Sequence, residues 1–209
     1  MRLYSHASPS RTAHDRRHFR ARTPSEAQFG QVHCGGVYSW IDDDMRVAYA
    51  DPPYPGCAHL YRAHPDFDGE VDHRALLLEL EAKYDGWLLH TSSTALRNIA
   101  PLVPDGARFM AWVKPFAAFK KNVSVAYAWE PVIVKPVRKP VVSGRQVMRD
   151  WVSESITLRR GLTGAKPERV CHWAFEMLGL EPNDELLDLF PGTGAVKRAW
   201  ESWKEDLRR

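Results

Sequence analysis

The sequence predicts an α/β fold in which a mostly parallel sheet carries helices on both faces. From residue 47 onwards, short apolar segments typical of buried strands alternate with longer segments of helical apolar spacing. Two strand-like segments, 47–50 and 185–190, run directly into loops rich in proline or glycine. The 209 residues can bury one sizeable core, and this length requires no second domain.

The domain organisation follows from composition. Residues 1–30 mix Arg, His, Ser, Thr and Pro without apolar periodicity, so we expect a flexible basic arm there and a single domain over 31–209. No apolar run approaches the length of a membrane span, and the first residues lack the apolar core of a signal peptide. We therefore expect a cytoplasmic protein without membrane contact, and the three cysteines, which lack CxxC spacing, argue against a disulfide framework.

The first half of the domain alternates strands and helices. The predicted elements are a strand at 47–50, a helix at 72–84, a strand at 86–90, a helix at 94–102 and a strand at 108–113. Asp72 is placed to cap the first helix, and Gly86 follows its end. Residues 123–134 have apolar positions at period two, which predicts one long strand or a hairpin, and residues 135–140 predict a loop.

The last part of the chain has the clearest pattern. A helix is predicted from Pro167 to Gly179, because its apolar residues recur at i, i+3, i+4, i+7 and i+8. The strand at 185–190 then opens into Pro-Gly-Thr-Gly at 191–194, and a final amphipathic helix follows. Glycine lets a ligand approach the backbone, and a helix N-terminus offers free N–H groups, so this corner is a candidate nucleotide-binding loop.

The loop Asp51-Pro52-Pro53-Tyr54 follows the first strand and indicates chemistry on the amino group of a nucleic-acid base. Consecutive prolines remove two N–H donors and fix the backbone, so the Pro52 carbonyl is free to accept a hydrogen bond from a substrate. Asp51 adds an acceptor carboxylate, and Tyr54 offers a ring for stacking. A proline-rich turn without function is the alternative interpretation. This chemistry requires no metal, and we expect none.

Positive charge is concentrated in two segments. Residues 1–22 hold six Arg against one Asp, and residues 114–160 hold ten Lys or Arg against three acidic residues. Such segments suit contact with a phosphate backbone, although two solvated loops would give the same pattern. The candidate nucleic-acid-binding cations are Lys120, Lys121, Arg138, Lys139 and Arg145.

With both loops in one chain, the sequence resembles the amino-methyltransferases that use S-adenosylmethionine to methylate adenine at N6 or cytosine at N4 in DNA. The Asp-Pro-Pro-Tyr loop precedes the glycine loop by about 140 residues, an order that resembles the permuted, beta-type subclass. The likeness extends over most of residues 45–203, with further matches at 71–92, 111–115, 127–132 and 165–168. The layout is also similar to the messenger-RNA adenine methyltransferases, which have Trp where this chain has Tyr54.

The resemblance implies a Rossmann-like methyltransferase fold, S-adenosylmethionine as cofactor and DNA, or else RNA, as partner. It assigns the catalytic role to Asp51, Pro52, Pro53 and Tyr54. The implied cofactor-binding residues are Lys166, Asp188, Phe190, Gly192, Thr193 and Gly194, with Lys166 on the methionine carboxylate. In a duplex the target base must leave the stack. Tyr54 would then cover it, with Trp129 or Phe116 as a second wall and an ordinary core position as the alternative for Trp129.

Two features bear on which reaction to expect. Asp at the first position of the motif favours adenine, because Ser is common there among cytosine enzymes. Only fifteen residues follow Gly194, so we expect the sheet to lack one or two edge strands, including the one that usually holds the cofactor ribose. A catalytically weak or inactive nucleic-acid-binding relative therefore stays open as a second function. Residues 134–160 correspond to a short recognition-type insertion, and a homodimer is compatible with the sequence.

Overall fold

A computed structural model of the chain describes residues 44–62, 69–117, 123–139, 147–157 and 165–208. The predicted arm over 1–30 lies outside these ranges, as do the candidate phosphate-binding residues Lys120, Lys121 and Arg145. Within them, no helix combines the length and the apolar character needed to span a bilayer.

The described residues form one six-stranded sheet in the order β5-β3-β4-β2-β1-β6. Its strands are β1 (Arg46–Ala50), β2 (Gly86–His90), β3 (Arg108–Val113), β4 (Trp129–Lys135), β5 (Trp151–Ser153) and β6 (Glu185–Asp188). Only β4 runs antiparallel to its neighbours, which confirms the prediction of a mostly parallel sheet. Within the described ranges, β6 forms one edge of this sheet and β5 the other.

Helices cover both faces of the sheet. They are α1 (His73–Lys83), α2 (Leu96–Ile99), α3 (Glu168–Leu178) and α4 (Ala195–Leu207), with 3-10 turns at Ala58–Tyr61 and Ala100–Leu102. α3 and α4 pack on one face, where they bury Tyr49 and Val132 together with Phe175. α1 and α2 pack on the other face, against Ala48 and Ile133. Neighbouring residues of one strand therefore belong to opposite cores, as the pleat requires.

Local signals in the sequence account for the ends of these helices. Asp72 caps α1, because its Oδ1 accepts hydrogen bonds from the backbone N–H groups of Arg74 and Ala75 at 2.9 and 3.1 Å. α3 ends at Gly179, whose φ of 71° is left-handed and suits glycine. The backbone oxygen of Arg138 would clash with a Cβ at this position, so the contact also requires a residue without a side chain.

Two predicted elements differ from the structure, and one strand was not predicted. The strand predicted over 123–134 begins only at Trp129, which pairs with Val113, the last residue of β3. Residues 123–128 therefore have no β3 residue to pair with. The helix predicted over 94–102 is a short α2 that tightens into a 3-10 turn at Pro101, which has no N–H to donate. β5 lies within the predicted insertion at 134–160 and was not predicted as a strand.

The arrangement of β1 and β6 matters most for function. The two strands are parallel neighbours, with Tyr49 opposite Asp188, and the ladder continues where Leu189 N–H donates to the Tyr49 carbonyl at 3.0 Å. Both strands therefore end at the same edge of the sheet. The proline loop after β1 and the glycine loop after β6 start side by side at this carboxyl edge.

Candidate active site at the carboxyl edge of the sheet

The loop after β1 holds its backbone in a turn. Pro52 is buried, Tyr54 is half-buried, and the Tyr54 carbonyl accepts a hydrogen bond from Cys57 N–H at 2.8 Å. In the described part of the chain, no hydrogen-bond donor reaches the Pro52 carbonyl oxygen.

Asp51 forms a buried ion pair that the sequence did not predict. Its Oδ2 accepts a hydrogen bond from Lys166 Nζ at 2.7 Å, and the same ammonium lies 3.3 Å from Glu130 Oε1. Lys114 Nζ donates to the other oxygen of Glu130 at 2.7 Å. We call Asp51, Lys166, Glu130 and Lys114, together with His90, the buried ion network. It places two cations against two anions.

A histidine and a tyrosine extend the network into the sheet. His90 Nδ1 lies 2.9 Å from Glu130 Oε1, and His90 Nε2 lies 2.7 Å from the Tyr49 hydroxyl. Because an ionised carboxylate only accepts, His90 donates from Nδ1, and Nε2 accepts from Tyr49. Both side chains are fully buried, so neither hydrogen bond competes with bulk water.

Burial and neighbouring charges set the protonation states in the network. Burial alone would lower the pKa of Lys166, but the carboxylates of Asp51 and Glu130 outweigh it and raise this pKa. Burial would raise the pKa of Glu130, but Lys166, the His90 hydrogen bond and Lys114 hold it well below its ordinary value. Burial and the charge of Lys166 lower the pKa of His90, so its imidazole is neutral near pH 7.

Tyr54 meets the network at its hydroxyl. Lys166 Nζ lies 3.5 Å from the Tyr54 oxygen and 5.9 Å from the centre of the ring. Burial, and next the charge of Glu130, raise the pKa of Tyr54 well above its ordinary value, so the phenol stays protonated. Its hydroxyl end is thus held beside the ion network, which fixes the orientation of the ring.

Glu130, His90, Lys114 and Tyr49 were not predicted as site residues. A signal for two of them is present in the sequence, because Glu130 and His90 are buried polar residues near the ends of largely apolar strands. A charged side chain in a buried strand needs a buried partner. The sequence alone gave no means of choosing the partner.

The glycine loop lies beside this network at the end of β6. Asp188 Oδ1 accepts a hydrogen bond from Phe190 N–H at 3.2 Å, whereas Oδ2 is buried and has no partner among the described residues. Burial, with the charge of Asp51, raises the pKa of Asp188 to about 6. The Thr193 carbonyl accepts a hydrogen bond from the Arg198 side chain at 2.9 Å, and Gly194 is the N-cap residue of α4.

The glycine loop fits a polar ligand on three grounds. An unpartnered carboxylate oxygen of Asp188 faces no donor within the described residues. No side chain of the described residues caps α4, so within this part of the chain the N–H groups of its first turn have no side-chain partner. Gly192 has a left-handed φ of 44°, and a Cβ there would meet nothing closer than 3.8 Å, so the space above the turn is open. These features suit the amino, hydroxyl and carboxylate groups of a nucleoside-like cofactor.

Asp51, His90 and Glu130 could also be taken for a metal site, since each offers one donor atom within 4.8 Å of the others. The Lys166 ammonium, however, already lies between the two carboxylates, at 2.7 and 3.3 Å. It neutralises the charge that a divalent cation would need. The donor set is therefore that of an ion network with lysine as its cation.

The aromatic candidates for a second wall, Trp129 and Phe116, are both exposed. Trp129 is 43% exposed, so the interpretation as a core residue is wrong. It faces away from its neighbour Glu130 and lines an apolar groove of about 900 Å³ with Phe109, Pro131 and Trp151. Phe116 follows β3 at the carboxyl edge and is 45% exposed.

Arg138 and Lys139 lie at the opposite edge of the sheet, because they follow the end of the antiparallel strand β4. Arg138 donates to both carboxylate oxygens of Asp184, at 2.7 and 3.0 Å, and this pair joins the β4 end to the turn before β6. A buried acidic partner thus already binds the Arg138 guanidinium, and the role of Arg138 as a phosphate contact stays a prediction. Lys139 is exposed, also far from the Asp51 loop.

Comparison with known proteins gives a structural likeness only. No protein-family model matches the chain, and no curated protein matches it. The crystal structure of the M1.HpyAVI–SAM complex is similar with a TM-score of 0.50 and 17% sequence identity, covering 77% of this chain and 79% of that chain. The crystal structure of M1.HpyAVI has a TM-score of 0.49 and 16% identity, covering 77% and 78%. The first likeness confirms the predicted Rossmann-like methyltransferase fold.

Proposed function

We propose that the protein is a permuted, beta-type methyltransferase that uses S-adenosylmethionine to methylate the exocyclic N6 amine of adenine in DNA. One observation carries this proposal: the Asp51-Pro52-Pro53-Tyr54 loop and the glycine loop leave neighbouring parallel strands at the same edge. A base held by the first loop and a cofactor held by the second would meet in one crevice.

The proline loop offers the chemistry that an aromatic amine requires. The lone pair of the amine is delocalised into the ring, so it must be localised on nitrogen before it can attack a methyl group. In our proposal the Pro52 carbonyl and the carboxylate of Asp51 each accept one N–H of the amine. The carboxylate also opposes the positive charge that develops on nitrogen in the transition state.

Tyr54 is proposed to cover the face of the target base. Its hydroxyl is held beside Lys166, which leaves the ring as a fixed surface next to Asp51. Stacking on such a ring contributes about 1–3 kcal/mol per base in single-stranded nucleic acids. A base swung out of a duplex would need this contact to offset the stacking that it loses.

The proposed cofactor residues are Asp188, Phe190, Gly192, Thr193 and Gly194, with Lys166 as a sixth. The unpartnered oxygen of Asp188 and the uncapped start of α4 support the five loop residues. When bound, S-adenosylmethionine supplies an electrophilic methyl group on its sulfonium. Lys166 binds Asp51 and Glu130 in this structure, so a further contact with the methionine carboxylate would have to be shared with them.

The proposal of DNA as substrate rests on the sequence resemblance. The proposal of S-adenosylmethionine as cofactor agrees with the structural neighbour M1.HpyAVI, whose crystal structure is described as a complex with SAM. Lys120, Lys121 and Arg145, which lie outside the described residues, are the cations that we propose for phosphate contact. Adenine in RNA and cytosine N4 in DNA are the alternative substrates. The experiment therefore has to identify the methylated base.

The test is methyl transfer followed by nucleoside analysis. The purified protein is incubated with S-adenosylmethionine and with single-stranded DNA, duplex DNA or RNA, and the products are digested and identified by mass spectrometry. We expect N6-methyladenine from DNA, and none from the Asp51→Ala variant. N4-methylcytosine or methylated RNA would replace the proposed substrate, and the absence of every methylated nucleoside would contradict the reaction itself.

A catalytically weak or inactive nucleic-acid-binding relative is the second candidate. It is favoured by the position of β6, because the described residues place no strand beyond it that could hold a ribose. Titration calorimetry with S-adenosylmethionine separates the two. Binding in the micromolar range supports the enzyme, whereas no heat at millimolar cofactor, together with retained DNA binding, supports the inactive relative.

A further inference from the structure

Glu130 occupies the centre of the buried ion network. Its Oε2 accepts from Lys114 at 2.7 Å, and its Oε1 accepts from His90 at 2.9 Å and lies 3.3 Å from Lys166 Nζ. The side chain is 5% exposed. Three partners around one buried carboxylate leave it a single orientation.

Glu130 in turn determines where Lys166 can lie. The ammonium of Lys166 is held between Glu130 and Asp51, and its side chain is 7% exposed. It binds Asp51 through Oδ2 only. Because a carboxylate is planar, fixing Oδ2 also fixes the direction of Oδ1, which accepts no hydrogen bond from the described residues.

The contacts form a chain that starts on β1 and returns to the loop directly after it. Tyr49 donates to His90, which donates to Glu130, and Lys166 joins Glu130 to Asp51, two residues beyond Tyr49. β1, β2, β4 and the segment before α3 each contribute to this chain of contacts. The direction of Asp51 is therefore set by side chains from four parts of the fold.

We infer that Glu130 is a positioning residue for the proposed methyl transfer, which acts through Lys166 to aim the free oxygen of Asp51 at the amine of the base. This inference rests on the proposed function. Stability alone does not account for the arrangement, because apolar side chains of similar volume often stabilise a core as well as a buried ion network does. Orientation of an acceptor is what the chain of contacts adds, and catalysis is sensitive to misplacement of about 1 Å.

Glu130→Gln, made in the full chain, is the central variant. It keeps the shape of the side chain but removes the charge that holds Lys166. We expect kcat for methyl transfer to fall by about 10- to 100-fold, with the KM values for S-adenosylmethionine and DNA changed by less than about threefold. Lys166 still contacts Asp51 in this variant, but it loses the partner that orients it.

Asp184→Asn is the matched control. Asp184 is also a buried carboxylate in an ion pair, with Arg138, but it lies at the opposite edge of the sheet. Its replacement should lower the thermal midpoint and leave kcat unchanged at a temperature where both variants are folded. If Glu130 has only a structural role, both Glu130→Gln and Asp184→Asn should lose stability and keep the kcat of the wild-type protein.

A double variant tests whether Glu130 acts through Lys166. If it does, Glu130→Gln should lower kcat no further in a Lys166→Met background than Lys166→Met alone. Multiplied losses would show an independent effect and overturn the inference. If Glu130→Gln does not fold, His90→Gln provides the same test, because it removes the imidazole that donates to Glu130 and accepts from Tyr49 without changing the charge of the network. We then expect a fall in kcat of about 3- to 10-fold.

The outcomes separate this inference from the proposed function. The positioning role alone is overturned if the wild-type protein is active and Glu130→Gln keeps kcat within about twofold of it. Where Glu130→Gln does not fold, the same result for His90→Gln overturns it. A wild-type protein that methylates no nucleic acid contradicts the proposed function, and the positioning role falls with it.

Discussion

The ammonium of Lys166 lies 2.7 Å from Oδ2 of Asp51, although 115 positions separate the two residues in the chain. Lys166 precedes α3, and Asp51 follows β1, so the contact joins the helical layer to the loop at the carboxyl edge. The two side chains are 7% and 19% exposed, which limits screening of the pair by water. The acceptor of the proposed reaction is therefore held by tertiary structure.

Asp51→Asn tests the assigned acceptor while preserving the shape of the side chain. We expect methyl transfer to fall by about 100- to 1,000-fold, because the amide cannot oppose the charge on the amine nitrogen. Lys166 keeps Glu130 as a partner, so the free energy of unfolding should fall by only about 1–3 kcal/mol. Radiolabelled methyl incorporation and urea unfolding measure the two effects, and near wild-type turnover in Asp51→Asn would refute the role of the carboxylate.

Arg138→Ala distinguishes a structural ion pair from a phosphate contact. Asp184 would lose a bidentate partner at a side chain that is 1% exposed, so we expect the free energy of unfolding to fall by about 2–4 kcal/mol. DNA affinity and its salt dependence should not change. The neighbouring Lys139→Ala variant is the control, with neither stability nor DNA affinity altered. A weaker, less salt-dependent complex in Arg138→Ala would restore the phosphate contact.

The sequence predicted most of the sheet because its central strands are apolar and bounded by clear turn signals. β1, β2, β6, α3 and α4 lie where periodicity and glycine placed them. β5 is three residues long, and its pairing with β3 depends on a neighbour about forty positions away, so no local pattern identifies it. The same reason explains why residues 123–128 alternate like a strand and yet form none, since β3 ends before it could pair with them.

The two loops of the candidate site could be predicted, whereas the network beneath them could not. The composition of 51–54 and 191–194 carries its own local signal in proline and glycine. Glu130 and His90 are brought together by the antiparallel register of β4 and β2, in which His90 lies opposite Val132. This register is a property of the tertiary structure. The sequence therefore indicates that Glu130 and His90 each need a buried partner, but it does not identify them as partners of one another.

Gly192→Ala tests the glycine loop as the cofactor site. The φ of 44° is unfavourable for alanine by about 1–2 kcal/mol, and the new methyl group would project into the open space above the turn. We expect the affinity for S-adenosylmethionine, measured by calorimetry, to fall by about tenfold. Gly106→Ala is the control, because its φ of 88° imposes similar strain in an open turn far from β6. Equal cofactor affinity in both variants would exclude contact at Gly192.

Asp188 should make stability depend on pH between about 4 and 6. Burial raises its pKa to about 6 in the folded protein, whereas an unfolded chain has an ordinary value of about 3.9. Between these values the folded state binds a proton that the unfolded state lacks, so the contribution of Asp188 to stability falls as pH rises, and its cost is complete above pH 6.

Because the side chain is only half-buried, we expect Asp188→Asn to raise the free energy of unfolding by about 1–2 kcal/mol at pH 7.5 and by much less at pH 4.5. Urea unfolding at the two pH values measures this difference relative to wild type, with the exposed Glu185→Gln on the same strand as the control. An equal effect of Asp188→Asn at both pH values would mean that the pKa of the Asp188 carboxyl is not raised. A donor would then already bind the carboxylate oxygen that we propose for the cofactor.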